Sequence, residues 1–153
     1  MAPIEVFFGV VVFIFALIGI VRGFLRELGV TLVMMFLLYF LSRFEPFLDT
    51  GLVKVMDLGG GALKGSSKEL LKCGIFIFVI IAAAFVSYEG ETLAFAGQPP
   101  YGPLGMVLGA VSGTLNGYLI AGTIWFYMDK YDYPIAWLGF TPERLSPLAQ
   151  GIV

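Results

Sequence analysis

The segment LGMVLGAVSGTLNGYLIAG, residues 104–122, carries a glycine at every fourth position from Gly105 to Gly117 within a mostly apolar stretch. The repeated residues are Gly105, Gly109, Gly113 and Gly117, and Ala121 continues the series. Helices surrounded by lipid gain little from hydrophobic contact with one another, so they associate through close backbone approach and interhelical hydrogen bonds. Small residues in helical register therefore predict a membrane helix over 104–128 that packs tightly against another helix.

Two polar residues fall on the same face of this predicted helix. Ser112 and Asn116 follow Gly105 by seven and eleven residues, and these spacings nearly eclipse on a helix. In the first apolar segment, Ala16, Gly19 and Gly23 lie along one side and offer a matching small-residue surface. The pattern favours helix docking at this seam. A polar path through the membrane, lined by Ser112 and Asn116, is the alternative.

The composition of the whole chain is that of a membrane protein. Of 153 residues, 59% are hydrophobic and 13% are charged, and the mean hydropathy is +0.93. An average soluble domain has roughly 25% charged residues, about twice this share. The formal net charge of −2 disfavours nucleic acid as a partner, because phosphate binding requires a basic surface.

Apolar stretches of membrane-crossing length predict an all-α integral membrane protein with about four transmembrane helices, arranged as two hairpins, plus short interfacial segments. The membrane domain covers residues 1–128, with spans at 4–21, 28–41, 68–88 and 104–128. Residues 42–67 are predicted as an interfacial loop that includes a short helix over 51–58. Residues 129–153 are predicted as an interfacial tail, in which Tyr131, Tyr133 and Trp137 lie at the level of the lipid headgroups.

Few side chains in the sequence can carry out chemistry. There is no histidine and one cysteine, Cys73, which leaves no imidazole for acid–base catalysis or haem ligation and no internal disulfide. Glu5, Glu89, Glu91 and Asp129 fall at predicted helix ends, so we expect no relay of buried carboxylates. The sequence predicts no catalytic residues, no metal site and no cofactor other than bound lipid.

Two arginines share a helical face where the first apolar segment ends. Arg22 and Arg26 are four residues apart in the stretch RGFLRE, residues 22–27. Arginines at the end of a membrane span extend toward lipid phosphates. We therefore predict that both contact lipid headgroups. Specific binding of an anionic lipid or of a partner's acidic residue is the alternative.

Three of these features together resemble the colicin V production protein family. They are Glu5 at the opening of the first helix, the RGFLRE turn and the glycine repeat that begins at Leu104. The resemblance extends over nearly the whole membrane portion, and it implies a small four-helix protein of the bacterial inner membrane with no established enzymatic activity. Some members are linked to bacteriocin export and envelope integrity. The chain departs from the pattern at Tyr101-Gly102, where the family often has Asp-Arg, and at Ser112, where it often has Arg.

Two functions are open at this point. The first is a non-enzymatic structural or accessory subunit that docks onto a larger membrane complex through the glycine-rich fourth helix, with lipids and other membrane protein subunits as partners. The second is a component of a secretion or transport path lined by Ser112 and Asn116. Orientation also stays open. Most basic residues favour cytoplasmic chain ends, whereas the resemblance to family members that continue into an extracytoplasmic domain implies the reverse.

Overall fold

A computed structural model of the chain describes residues 4–58, 65–90, 95, 97, 98 and 100–134. These residues form four α-helices and no strand. The helices are α1 (Ile4–Arg22), α2 (Phe24–Leu58), α3 (Gly65–Glu89) and α4 (Gly102–Lys130). Each contains a segment long and apolar enough to cross a membrane. The predicted all-α class, with four helices of membrane-crossing length, is confirmed.

A single residue, Gly23, connects α1 to α2. Its φ of +87° lies in the left-handed region, which glycine adopts at little cost. The Gly23 N–H donates to the Gly19 carbonyl at 3.0 Å, and the Gly23 carbonyl accepts from the Glu27 N–H at 3.2 Å. One residue therefore ends α1 and begins α2, so α2 starts at Phe24 and the RGFLRE turn is mostly helical.

α2 also continues through much of the segment predicted as an interfacial loop. It runs unbroken from Phe24 to Leu58, and the part that can cross a membrane ends at Leu48. A helix of this length spans roughly 50 Å, against about 30 Å for the hydrocarbon core of a bilayer. Pro46 lies inside the helix and removes one backbone donor without ending it. The polar residues after Leu41 therefore do not end α2, which continues for ten residues past the part that can cross a membrane.

Contacts from the end of α4 hold the first part of this extension of α2. Lys130 Nζ forms an ion pair with Glu45 at 2.5 Å, and the Tyr131 hydroxyl donates to the same carboxylate at 3.2 Å. These partners lie 85 and 86 residues further along the chain. Glu45, in the polar part of α2, thus has partners at the end of α4, and the composition of α2 alone does not reveal them.

α4 is the central helix and contacts the other three. Paired residues show that α1 and α3 run antiparallel to α4 and that α2 runs parallel to it. The pairs are Gly19 with Gly109 and Phe8 with Trp125 for α1, Glu27 with Asn116 and Glu45 with Lys130 for α2, and Cys73 with Tyr127 and Tyr88 with Asn116 for α3. The chain therefore crosses in alternating directions. We call the two ends of the bundle the Gly23 end and the Lys130 end.

Aromatic side chains fill the core near the Lys130 end. The Phe76 and Tyr127 rings stack with centroids 4.3 Å apart and planes 6° from parallel, and the Tyr131 ring lies 6.3 Å from each. Stacked rings add to the packing that holds α3 against α4.

The residues after α4 pack inward. Tyr131 and Tyr133 are buried, and the Trp125 indole donates to the Tyr133 hydroxyl at 3.0 Å. Burial is the main cause that raises the pKa of the Tyr133 phenol above its ordinary value. Both tyrosines therefore belong to the core rather than to an exposed headgroup-level tail. Trp137 and the rest of the predicted tail lie outside the described residues.

Phe76 tests the aromatic core against a matched residue on the same helix. Phe76 is fully buried, whereas Phe78 is 71% exposed. Phe76→Ala leaves a cavity beneath two tyrosine rings, and we expect it to lower the free energy of unfolding by about 3 kcal/mol. Phe78→Ala, measured in the same lipid–detergent micelles, should have little effect. Equal losses in the two variants would contradict this assignment of the core.

Candidate functional site

The glycine seam of α4 is occupied by the chain's own first helix. A Cβ placed on Gly19 would lie 2.9 Å from the Gly113 Cα and closer still to the Gly109 carbonyl oxygen. A Cβ placed on Gly117 would lie 2.9 Å from the Phe15 Cβ. The backbones of α1 and α4 are therefore in direct contact, and neither helix has room for larger side chains along this seam.

Two of the glycines predicted for packing lie elsewhere. A Cβ on Gly105 would meet the Pro100 carbonyl of the segment before α4, so this glycine does not face α1. Gly23 has no atom within 4 Å of the position its Cβ would take. Its role is the turn conformation described above. The structure thus places Gly19, Gly109, Gly113 and Gly117 together and sets Gly105 and Gly23 apart from them.

Asn116 joins the seam to α2. The residue is completely buried, and its amide nitrogen donates to the Glu27 carbonyl at 3.0 Å and to Glu27 Oε2 at 2.8 Å. Its amide oxygen accepts from the Thr31 hydroxyl at 2.7 Å. Ser112, one helical turn earlier, is buried as well. The polar residues of the glycine repeat therefore lie inside the bundle, with Asn116 held by α2.

Glu27 is the charged residue at the centre of this polar cluster. Its side chain is 0% exposed. Oε2 accepts from Asn116 and, at 2.8 Å, from the Tyr88 hydroxyl of α3. Oε1 has no hydrogen-bond partner among the described residues and faces Arg22 Nη1 at 3.7 Å. Because a buried carboxylate is costly without a counter-ion, this pairing is what makes its burial tolerable.

The structure separates the two arginines that were predicted at the headgroups. The Arg22 side chain is 20% exposed and turns inward, where its guanidinium lies 4.5 Å from the centroid of the Tyr88 ring. Arg22 Nη2 donates to the Ser87 carbonyl at 3.4 Å. Arg26 is exposed on the outside of the bundle. Arg22 thus brings α1 into the cluster, whereas Arg26 is placed to meet solvent or lipid.

Near the Gly23 end, exposed apolar side chains cover the outside of the bundle around the polar cluster. Val21 of α1 is exposed beside it, and Leu104, Val107 and Val111 are exposed on the part of α4 between Asn116 and that end. The apolar surface therefore extends past the cluster toward the Gly23 end. Glu27 lies within a segment that can cross a membrane, Phe24–Leu48. An ionisable residue buried within such a segment is a functional-site hypothesis by default.

An apolar layer separates the cluster from the Lys130 end. Met34, Phe76 and Ile80 are completely buried, and Ile120 is nearly so. Within the described part of the chain, the buried Glu, Thr, Ser and Asn side chains all lie on the Gly23 side of this layer. The cluster is therefore closed toward one side of the bundle and reached from the other along Arg22.

Sequence reasoning missed Glu27 because it assigned this residue to a polar turn. The carboxylates considered there were those at helix ends, and Glu27 was not among them. The available signal is its spacing: Thr31 follows four residues later, so both share one helical face if α2 begins directly after Gly23. This face points into the bundle because α2 begins directly after Gly23, which the composition of the segment does not reveal.

Comparisons with family models, with curated proteins and with solved structures find no match. Among the described residues, no group of three or more His, Cys, Asp or Glu side chains is placed to hold a metal ion.

Gly19 and Gly9 provide a matched pair for the seam. Both lie in α1, but a Cβ on Gly9 would have no atom within 4 Å, whereas one on Gly19 would collide with α4 backbone. We expect Gly19→Ala to separate α1 from α4 and to lower the free energy of unfolding by more than 1 kcal/mol. Gly9→Ala should be neutral or slightly stabilising, since alanine favours helix. A stable Gly19→Ala protein with unchanged unfolding would refute direct backbone contact.

Asn116 and Thr114 provide the corresponding pair for the cluster. Thr114 is exposed and donates to the Ala110 carbonyl of its own helix, whereas Asn116 donates to Glu27. Asn116→Leu leaves Glu27 Oε2 one donor short, so we expect a loss of about 2 kcal/mol in the free energy of unfolding. Thr114→Leu should leave stability nearly unchanged. The two variants are compared by denaturation in the same micelles, and equal stability would show that the hydrogen bonds to Glu27 contribute nothing.

Proposed function

We propose that the protein is a non-enzymatic accessory subunit of a larger membrane complex. The observation that carries this proposal is that the small and polar residues make their contacts inside the bundle. Gly19, Gly113, Asn116 and Glu27 are all engaged by the chain's own helices. Along the membrane-crossing segments the bundle presents many large apolar and aromatic side chains outward, a surface suited to lipid and to the helices of other subunits.

The surface that we propose for docking is on α2, not on the glycine face of α4. The glycine face is filled by α1, so no partner helix can occupy it without displacing α1. Along α2, five aromatic residues between 41% and 72% exposed form what we call the α2 ridge: Phe36, Tyr39, Phe40, Phe44 and Phe47. Phe44 stacks on Phe40 at 5.5 Å and on Phe47 at 6.2 Å. Rings already ordered by stacking lose little freedom on binding, and aromatic residues are enriched in protein interfaces.

The location that we propose is the inner membrane of a bacterium, as a multi-pass protein. Four helices of membrane-crossing length support the multi-pass arrangement. The bacterial inner membrane rests on the resemblance to the colicin V production protein family, carried by the RGFLRE stretch and the glycine repeat. In this setting membrane lipids and other subunits are the partners, and bound lipid is the only small molecule we propose.

The geometry supports an accessory role better than a transport path lined by Ser112 and Asn116. The Asn116 amide is buried, with both its nitrogen and its oxygen hydrogen-bonded to α2. The apolar layer that includes Met34, Ile80 and Ile120 lies between Asn116 and the Lys130 end. A path along Asn116 would have to break these hydrogen bonds and open that layer.

Photo-crosslinking in the native membrane tests the docking surface. A photoreactive phenylalanine analogue is placed at Phe40 on the α2 ridge and, as a control, at Phe78, which is exposed on α3. We expect a discrete protein adduct from position 40 and lipid adducts from position 78. The same partner should remain attached during extraction in mild detergent, which gives a particle larger than this chain alone. A single-chain particle, with only lipid adducts at position 40, would contradict the proposal.

A further inference from the structure

We infer that Glu27 is a proton-binding site that opens to the Gly23 end, with Arg22 as its gate. While Arg22 faces the carboxylate, its guanidinium is the counter-ion of Glu27. When Arg22 turns outward, Glu27 takes one proton from the solution at the Gly23 end and the site stays neutral. This inference concerns the interior of the bundle and does not depend on the proposed docking role.

The two oxygens of the Glu27 carboxylate are held differently. Oε2 accepts two hydrogen bonds of 2.8 Å, from Tyr88 and Asn116, so its lone pairs are engaged. Oε1 accepts none within the described structure, although the side chain is completely buried. The atom that faces Oε1 is Arg22 Nη1, which lies 3.7 Å away, beyond hydrogen-bond distance. Arg22 Nη1 is also without a hydrogen bond in the described structure. Oε1 is therefore the position at which a proton binds without displacing an existing hydrogen bond.

Arg22 is held by contacts that a side-chain rotation can break. Its one hydrogen bond given by the structure, to the Ser87 carbonyl, is long at 3.4 Å, and its other contacts are the 3.7 Å ion pair and the Tyr88 ring. It is the last residue of α1 and precedes Gly23, around whose absent Cβ there is open space. Part of the guanidinium side chain already reaches the surface, so outward rotation leads it to water or lipid phosphate.

No other charged group in the described structure contacts the Glu27 carboxylate. From α3 it meets the neutral Tyr88 hydroxyl, from α4 the Asn116 amide, and from its own helix the nearby Thr31 hydroxyl bonds Asn116 instead. Arg26 and Glu89 are exposed at the same end of the bundle. When Arg22 leaves, Glu27 has no second cation, and protonation is the change that removes its charge from an apolar interior.

Access to the site is from one side only. The apolar layer of Met34, Phe76, Ile80 and Ile120 closes the cluster toward the Lys130 end. A proton that arrives along Arg22 therefore leaves the same way. The site binds and releases a proton at one face of the membrane, and it does not conduct protons across.

Carbodiimide labelling tests the inference on the unmodified protein. Dicyclohexylcarbodiimide partitions into membranes and reacts with protonated carboxyl groups, and mass spectrometry of peptides locates the adduct. In nanodiscs of phosphatidylcholine, we expect a Glu27 adduct whose rate of formation rises on acidification, roughly tenfold per pH unit while the carboxylate is mostly ionised. Arg22→Gln, which removes the gate, should give rapid labelling of Glu27 already at neutral pH. Absence of a Glu27 adduct at every pH at which the helices remain folded, or labelling independent of pH, would overturn the inference.

Infrared difference spectroscopy provides an independent readout of the same proton. Acidification of the wild-type protein should produce the carbonyl stretch of a buried carboxylic acid, and this band should be missing in Glu27→Gln, which keeps the hydrogen-bond acceptor at the same position. Glu45→Gln, at the other end of α2, is the control and should retain the band. A band present in Glu27→Gln would assign the proton to a different carboxylate and refute the site.

Discussion

A carboxylate inside an apolar bundle must be neutralised and hydrogen-bonded where it lies, and this requirement at Glu27 involves every helix of the protein. Arg22 at the end of α1 supplies the counter-charge, α2 supplies the carboxylate itself, Tyr88 near the end of α3 donates one hydrogen bond, and Asn116 in the middle of α4 donates another. Because burial of an unpaired charge is far more costly than burial of an apolar side chain, a shift of any one helix that removes its contact with Glu27 carries a large cost. The cluster thus favours the mutual register of the helices that the structure shows.

The remaining features place these partners. Backbone contact between α1 and α4, which the glycines of the seam permit, brings the end of α1 beside the first turns of α4, from where the Arg22 side chain reaches the Glu27 carboxylate. The left-handed conformation of Gly23 then starts α2 without a spacer, so that Glu27 returns to the bundle five residues after Arg22. At the opposite end, Glu45 with Lys130 and the aromatic stack on Phe76 hold α2 and α3 against α4. The position of the Glu27 carboxylate therefore depends on the glycine seam, on the turn at Gly23 and on the contacts that hold α2 and α3 at the Lys130 end.

Sequence reasoning was most successful where the signal is local. Four helices of crossing length follow from the apolar runs, which depend on local sequence alone. Reasoning failed where a tertiary contact overrides composition. RGFLRE has the composition of a polar loop, and only the folded structure shows that Gly23 makes the turn alone. The segment after Leu41 gains its partners, Lys130 and Tyr131, only when α4 is folded beside it. For the same reason Glu27 was overlooked, although Asn116, its amide partner, was identified.

The most direct test of this account is a double-mutant cycle between Tyr88→Phe on α3 and Asn116→Ala on α4, measured by reversible unfolding in one micelle system. Both residues donate to Glu27 Oε2, so loss of one donor changes what the other contributes. The account predicts a coupling free energy of about 1 kcal/mol or more between the two substitutions. Tyr88→Phe combined with Thr114→Ala, on the exposed face of α4, should be additive. Additivity of the Tyr88 and Asn116 substitutions as well, within about 0.3–0.5 kcal/mol, would show that no shared carboxylate links α3 to α4.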